Sequence, residues 1–151
     1  MDKFFNLISE AETSTLGEDL SGLCSRQTVI YLHGPLGVGK TTLISGFIKS
    51  FGYTGDVKSP TYTLVESYDL CGWQIHHFDL YRLLAPEELE FIGIRDYFTP
   101  DSICLIEWPE KGRGQLPDCD IHIYLYSEGE KRASKISGNS EYGDDVLSVL
   151  A

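Results

Sequence analysis

The segment Gly34-Pro-Leu-Gly-Val-Gly-Lys-Thr41 has the spacing G-x-x-x-x-G-K-[ST], and the residues on both sides agree with that pattern. Before it, Val29-Ile-Tyr-Leu32 is a short apolar run that favours a strand. After it, apolar residues recur at helical spacing until Gly52, a typical stop signal. These apolar residues are Leu43, Ile44, Phe47, Ile48 and Phe51. Strand, glycine loop and helix in this order predict a phosphate-binding loop at the positive end of a helix.

The residue types within this loop predict how it would hold ATP and Mg²⁺. The ammonium group of Lys40 would reach the β- and γ-phosphates, and the hydroxyl group of Thr41 would be a ligand of Mg²⁺. We expect the loop and the first turn of the helix to contact the nucleotide. The expected contacts are Gly34, Leu36, Gly37, Val38, Gly39, Lys40, Thr41 and Thr42.

Length and composition are those of one globular domain, with 151 residues of which 42% are hydrophobic. The first residues lack the layout of an export signal, and no apolar run reaches membrane-spanning length. We therefore expect a cytoplasmic protein without a membrane role. The four cysteines form no C-x-x-C pair and are expected to be reduced thiols. A net charge of −11 argues against a protein that grips nucleic acid by itself, although a partner protein can link it to such a pathway.

The rest of the chain predicts a single-domain α/β fold of the P-loop type. Ser9-Glu-Ala-Glu12 has the form of a capping box at the start of a helix. Five later runs favour strands: Thr61–Tyr68, Trp73–Phe78, Ser102–Ile106, Ile121–Tyr126 and Lys131–Ser137. We expect a mixed sheet, parallel near the loop and antiparallel at the edge, flanked by helices. The domain would span residues 1–137, and residues 138–151 would form an acidic tail, either weakly ordered or a short terminal helix.

A phosphate-binding loop needs an acidic side chain from a second strand, and three candidates are present. Glu107 is the strongest, because the four apolar residues before it indicate a buried central strand. Asp79 is the alternative, but His76 and His77 within its run indicate a wetter strand. Asp69 begins a D-x-x-G sequence in an expected hairpin turn. Since no N-K-x-D motif follows, this match is interpreted as accidental, and adenine is favoured over guanine.

Three further segments carry a resemblance to a known family. They are Val57-Lys-Ser-Pro-Thr-Tyr-Thr-Leu-Val65, His77-Phe-Asp-Leu-Tyr-Arg82 and Leu105-Ile-Glu-Trp-Pro109. In this order, and after the glycine loop, they closely resemble the TsaE (YjeE) family, bacterial ATPases of the tRNA threonylcarbamoyladenosine (t6A) pathway. The resemblance runs from about Ser9 to Arg132. Pro35 departs from the family, which more often has an acidic residue there.

The resemblance implies a Mg²⁺-dependent ATPase that drives the cycle of the partner proteins TsaD and TsaB and meets tRNA only indirectly. Glu107 would be the Walker B acid beside Mg²⁺, and Asp79 would lie by the metal or the attacking water. Thr61 would belong to a switch-like loop, Ser59-Pro60-Thr61, near the γ-phosphate. The remaining implied contacts are Trp108 beside the nucleotide and the partner surface, Glu10 and Thr13 near the adenine, and Arg132 within reach of the nucleotide.

Two other functions fit a phosphate-binding loop. A small-molecule kinase usually carries an arginine-rich lid, yet this chain has only 12 basic residues and no arginine cluster after the loop helix. A nucleotide sensor that never hydrolyses would not need Lys40, Thr41 and Glu107 together. Two roles for Arg82 stay open: a catalytic role, or a local ion pair with Glu87 or Glu88.

Overall fold

The computed structural model describes residues 1–151 and contains seven strands and four α-helices. The strands are β1 (Asp2–Leu7), β2 (Thr28–His33), β3 (Val65–Leu70), β4 (Trp73–Asp79), β5 (Ser102–Glu107), β6 (Ile121–Glu128) and β7 (Lys131–Gly138). The helices are α1 (Glu10–Leu23), α2 (Lys40–Lys49), α3 (Glu88–Phe91) and α4 (Glu141–Val149). Short 3-10 turns at Ile94–Tyr97 and Pro109–Gly112 flank β5.

All seven strands belong to one sheet in the order β1-β7-β6-β2-β5-β4-β3. The central pairs β2–β5, β2–β6 and β4–β5 are parallel, whereas β3–β4, β6–β7 and β1–β7 are antiparallel. Every residue of β5 is buried, as expected for a parallel strand covered on both faces. The predicted mixed sheet, parallel near the glycine loop and antiparallel at the edges, is confirmed.

Helices α1 and α2 pack together so closely that glycine is needed at their contact. A Cβ atom on Gly17 of α1 would collide with the backbone carbonyl of Leu43, and one on Gly46 of α2 would collide with the carbonyl of Ser14. Their apolar sides join β2, β5 and β6 in the larger hydrophobic cluster. A smaller cluster on the other side of the sheet includes Phe78 and residues around α3. The sheet is thereby covered on both faces.

Two expectations about the strands were wrong, and one strand was missed. The missed strand is at the N-terminus, where β1 pairs with β7 as the edge of the sheet. The strand predicted from Thr61 begins only at Val65, after a turn. Asp69 lies inside β3 rather than in a turn, because the hairpin turns at Cys71 and Gly72, whose φ angles are 53° and 83°. Positive φ at both central residues is typical of a tight two-residue hairpin turn.

The C-terminal residues form α4, which is the helical one of the two alternatives predicted for this segment. Ser140 caps the helix by accepting a hydrogen bond from the backbone N–H of Gly143 at 2.9 Å. Val146 and Leu147 of α4, with Leu150 after it, belong to the larger hydrophobic cluster. This acidic stretch therefore contributes apolar side chains to the core. None of the helices is both long and apolar enough to cross a membrane. The four cysteines are free thiols, as predicted.

Candidate active site

Three glycines shape the loop between β2 and α2. Gly34, Gly37 and Gly39 have φ angles of 149°, 76° and 110°, which residues with a side chain rarely adopt. A Cβ atom on Gly34 would lie 2.8 Å from the carbonyl oxygen of Leu125, whereas one on Gly37 would meet nothing within 4 Å. Gly39 is the N-cap of α2 and offers no side-chain hydrogen bond. The first N–H groups of α2 therefore remain available to an anion.

A cleft with a volume of about 260 Å³ opens over this loop. The loop, the segment before β3 and the carboxyl ends of β4 and β5 contribute its walls, at the edge where open α/β sheets bind ligands. The lining residues are Glu10, Leu36, Gly37, Gly39, Lys40, Thr41, Thr42, Ser59, Thr61, Asp79, Glu107, Trp108 and Arg132. Most of the residues predicted to contact the nucleotide thus face one cleft.

Three residues predicted to contact the nucleotide do not line this cleft. Val38 is buried in the larger hydrophobic cluster, and Gly34 is held under the loop, where its carbonyl oxygen accepts a hydrogen bond from Lys40. Thr13 is buried and lines a smaller neighbouring cavity of about 180 Å³, together with Glu10 and Arg132. Glu10 and Arg132 border both cavities, so the two spaces are neighbours at this end of the site.

The ammonium group of Lys40 is held by three different groups. Its Nζ donates a 2.6 Å hydrogen bond to the carbonyl oxygen of Gly34 and lies 3.9 Å from Oε1 of Glu107. It also lies 4.1 Å from the ring centroid of Trp108, in a cation–π contact. Burial lowers the pKa of Lys40, while the nearby carboxylates of Glu107 and Asp79 act in the opposite direction.

Asp79 and Glu107 end neighbouring parallel strands and are partners in the β4–β5 register. The Asp79 carboxylate is tied to the segment before β3: its Oδ2 accepts hydrogen bonds from Ser59 Oγ at 3.1 Å and Thr61 Oγ1 at 3.0 Å. Its Oδ1 accepts the backbone N–H of Tyr81 at 3.0 Å. Asp79 therefore fixes the position of the Ser59–Thr61 segment beside the loop.

The expectation of a wetter strand before Asp79 was wrong. The last five residues of β4 are buried, including both histidines. His76 pairs with Ser67 at 2.7 Å, and His77 Nε2 lies 2.7 Å from Oε2 of Glu107. The contact between His77 and Glu107 was missed from the sequence. The available signal was the period of two along a strand, which puts His77 and Asp79 on the same face of β4.

Trp108 and Arg132 border the cleft from two sides. Trp108 follows β5 in a left-handed conformation with a φ angle of 57°, and its ring lies 5.2 Å from that of Tyr81. Arg132 projects from β7 over the loop, since its Nη1 would be 3.2 Å from a Cβ atom on Gly39. A guanidinium group thus lies beside the positive end of α2, where it adds to the attraction for an anion.

Arg82 forms neither of the ion pairs considered from the sequence. Its guanidinium group lies 4.4 Å from the ring centroid of Tyr62 and donates a 3.1 Å hydrogen bond to the Tyr62 hydroxyl. Glu88 instead accepts the backbone N–H groups of Leu84 and Ala85 at 2.7 and 2.8 Å. The side chain of Tyr62 is exposed, so Arg82 lies at the surface beside the cleft.

The donors in the cleft fit a magnesium ion carried in with phosphates. The Thr41 hydroxyl and the Glu107 carboxylate are hard oxygen donors, and both line the cleft. Mg²⁺ typically binds through one or two carboxylates, waters and the phosphates of the nucleotide rather than in a complete protein cage. Thr41 and Glu107 are therefore suitable ligands.

Strand β2, the glycine loop and α2, with acidic residues ending neighbouring parallel strands, define a P-loop fold of the NTPase type. The family model described as threonylcarbamoyl adenosine biosynthesis protein TsaE matches residues 7–135. The chain therefore belongs to the TsaE family, and the resemblance noted from the sequence is confirmed.

Individual relatives agree with this assignment. The tRNA threonylcarbamoyladenosine biosynthesis protein TsaE of Haemophilus influenzae is 52% identical over 123 residues, which cover 82% of this chain and 78% of that protein. The protein of the same name from Bacillus subtilis is 32% identical, with coverage of 82% and 77%. The crystal structure of Bacillus subtilis YdiB is similar with a TM-score of 0.82 at 25% identity, covering 99% of this chain and 94% of that one.

Proposed function

We propose that the chain is a Mg²⁺-dependent ATP hydrolase and an accessory factor of t6A synthesis on tRNA, where it drives the cycle of a TsaD–TsaB complex. The observation that carries the proposal is the meeting of Lys40, Thr41 and Glu107 in one cleft over the N-terminus of α2. The description of the family supports the pathway, because it concerns threonylcarbamoyl adenosine biosynthesis.

In this proposal the loop stabilises the charge of the transferred phosphoryl group. The free N–H groups at the start of α2 would surround the phosphate oxygens. Lys40 would exchange its hydrogen bond to Gly34 for one to the β- and γ-phosphates. Thr41 and Glu107 would hold Mg²⁺ together with the phosphates, and the bound ion would supply positive charge at the leaving oxygens. Lys40 and Glu107 lie 3.9 Å apart, so both side chains are in the part of the cleft where the phosphates would bind.

Asp79 and Thr61 would place the attacking water. The Thr61 hydroxyl lies in the cleft and is held by the Asp79 carboxylate at 3.0 Å. Because its single proton is donated to Asp79, this hydroxyl group can accept a hydrogen bond from a water molecule near the γ-phosphate. The Ser59–Thr61 segment would then respond to the γ-phosphate as a switch, with Asp79 as its anchor.

The adenosine would extend from the loop towards the end of the cleft formed by Glu10 and Arg132. Both residues border the main cleft and the smaller neighbouring cavity that Thr13 lines. Trp108 would cover the phosphate side, because its ring already contacts Lys40. Binding of a nucleotide would therefore change the surroundings of Trp108.

The proposal treats tRNA as an indirect partner. A net charge of −11 opposes binding to a phosphate backbone, so the contact with the pathway would be made through the TsaD and TsaB proteins. The only arginine in the cleft is Arg132, and Arg82 is engaged by Tyr62 at the surface. P-loop sites without an arginine at the γ-phosphate are slow until another group completes them. We therefore propose slow hydrolysis by the isolated chain.

The test is the fate of the γ-phosphate of labelled ATP, with and without Mg²⁺. Hydrolysis gives ADP and free phosphate, whereas a small-molecule kinase gives a phosphorylated metabolite in the presence of a cell extract. We expect free phosphate that depends on Mg²⁺ and on the Lys40 side chain. Tight ATP binding without any release of phosphate, with TsaD and TsaB present, would favour the sensor over the hydrolase.

A further inference from the structure

His77 is a buried polar residue directly behind the cleft. Its side chain is fully buried within β4. It pairs in register with Leu105 of β5, so Glu107, two residues further along, is its diagonal neighbour on the same face. Nε2 of His77 lies 2.7 Å from Oε2 of Glu107. None of the roles assigned above involves this histidine.

The hydrogen bonds around His77 and Glu107 identify which ring nitrogen of His77 is the donor. The Lys40 ammonium 3.9 Å from Oε1 favours an ionised Glu107, and an ionised carboxylate only accepts hydrogen bonds. Nε2 of His77 must therefore carry a proton and donate it. Nδ1 is buried without a hydrogen-bond partner, so a proton on that atom would leave a buried donor unsatisfied. The N–H of Nε2 is thus the one directed at Glu107.

The two oxygens of Glu107 consequently have different surroundings. Oε2 is occupied by His77 from inside the sheet, whereas Oε1 is the oxygen nearest Lys40. A donor fixed by burial holds one oxygen and thereby sets the direction in which the other one points. The same arrangement, in which a buried partner orients a metal-binding side chain, is general in metal sites.

We infer that His77 is a positioning residue, whose Nε2–H holds the Glu107 carboxylate so that Oε1 faces the phosphates and Mg²⁺ in the cleft. This inference rests on the proposed ATPase function and adds to it a residue that acts only through Glu107. Loss of the donor would leave Glu107 in the site with an unfixed orientation. The turnover rate would then fall and more Mg²⁺ would be required, whereas nucleotide binding without metal would change less.

Two polar substitutions of His77 distinguish the effect of losing the hydrogen-bond donor from the effect of changing the size of the side chain. In His77→Gln the amide nitrogen takes the place of Nε2 and can reach Glu107, whereas in His77→Asn it takes the place of Nδ1 and cannot. His76→Asn is the matched control, because His76 immediately precedes His77 in β4, is also buried, and bonds Ser67 of the neighbouring strand β3. All three variants keep a polar amide at a buried histidine position.

The first readout needs neither metal nor turnover. In the full chain labelled with ¹⁵N-histidine, we expect one ring N–H signal that exchanges slowly with water, disappears in His77→Gln and His77→Asn, and shifts in Glu107→Gln. His76→Asn should leave that signal in place. If the signal did not respond to Glu107→Gln, the contact would not exist in solution and the inference would be overturned.

The second readout is kinetic and calorimetric, with TsaD and TsaB present. We expect His77→Asn to lower kcat about 10- to 100-fold, a range typical of partners behind metal ligands. His77→Gln should recover most of it, and affinity for a non-hydrolysable ATP analogue without Mg²⁺ should stay within about twofold. Because His77 acts only through Glu107, the double variant His77→Asn/Glu107→Gln should be no slower than Glu107→Gln alone.

The failure of this inference and that of the proposed function are distinguishable. If the wild-type chain hydrolyses ATP but His77→Asn equals the His76→Asn control, or His77→Gln is as slow as His77→Asn, the inference is overturned and the hydrolase stands. Multiplying losses in the double variant would also overturn it, since they indicate a general structural role. If the wild-type chain neither binds nor hydrolyses Mg²⁺–ATP with the partners present, the proposed function fails and the inference fails with it.

Discussion

Replacing Glu107 with Gln removes one negative charge from the cleft and changes almost nothing in shape. The His77 N–H can still donate to the amide oxygen, but the amide N–H₂ then faces the Lys40 ammonium in place of Oε1 at 3.9 Å. At an effective dielectric constant of 20, two unit charges at that distance attract by about 4 kcal/mol. Only the desolvation of Glu107 is relieved, because Lys40 stays buried and charged after the substitution, and losing one partner of a buried pair typically costs about 3–5 kcal/mol. The Gly34 carbonyl still binds Lys40, so we expect the free energy of unfolding to fall by about 3 kcal/mol, the lower end of the range.

The effect of Glu107→Gln on turnover is measured separately from its effect on folding. A single preorganised electrostatic contact to a transition state contributes about 10²- to 10³-fold in kcat, and Glu107 would also be a ligand of Mg²⁺. We expect kcat to fall at least 10²-fold, whereas affinity for ATP should change less than about fivefold because the loop and Lys40 remain. Phosphate release and calorimetric titration of ATP measure the two quantities, and thermal unfolding confirms that the variant is folded. A Glu107→Gln variant with wild-type kcat would refute the assignment of Glu107 as the Walker B acid.

Four further substitutions test the same geometry. Lys40→Ala removes the cation nearest the loop and should reduce ATP binding or hydrolysis to background; wild-type turnover in this variant would remove the basis for a phosphate-binding loop. Asp79→Asn weakens the anchor of the Thr61 hydroxyl and should lower kcat about tenfold or more; if it is silent while Glu107→Gln is inactive, Asp79 has a structural role only. Gly17→Ala should lower the free energy of unfolding by about 1–3 kcal/mol, because its Cβ collides with α2. Gly22→Ala in the same helix, with open space around it, should raise stability by up to about 1 kcal/mol; equal effects of the two in chemical denaturation would contradict the close helix contact.

The parts of the fold that the sequence predicted are those with strong local signals. The loop from Gly34 to Thr41 carries its own geometry, because its glycines adopt φ angles that other residues avoid. Strand β5 is equally local, since a run of apolar residues marks a strand buried on both faces. Glu107, at the end of that run, could therefore be selected before its surroundings were known.

The parts that the sequence did not predict depend on partners far along the chain. Strand β1 is an edge strand of which only Leu7 is buried, and its only partner is β7, more than a hundred residues later. The histidines of β4 predicted a strand exposed to water, yet both are buried, because Ser67 bonds one ring nitrogen of His76 and Glu107 bonds one ring nitrogen of His77. A local pattern contains neither of these pairings.

The most direct test of the proposed function is phosphate release from Mg²⁺–ATP by the full chain, measured alone, with bare tRNA, and with TsaD and TsaB together. Lys40→Ala supplies the background in each case. The only arginine in the cleft is Arg132, which the proposal places at the adenosine end rather than at the γ-phosphate, so we expect slow release by the isolated chain. The net charge of −11 predicts little change with tRNA, whereas the two proteins should give a clear increase. Fast release by the isolated chain that TsaD and TsaB leave unchanged would contradict the accessory role and indicate a free-standing enzyme.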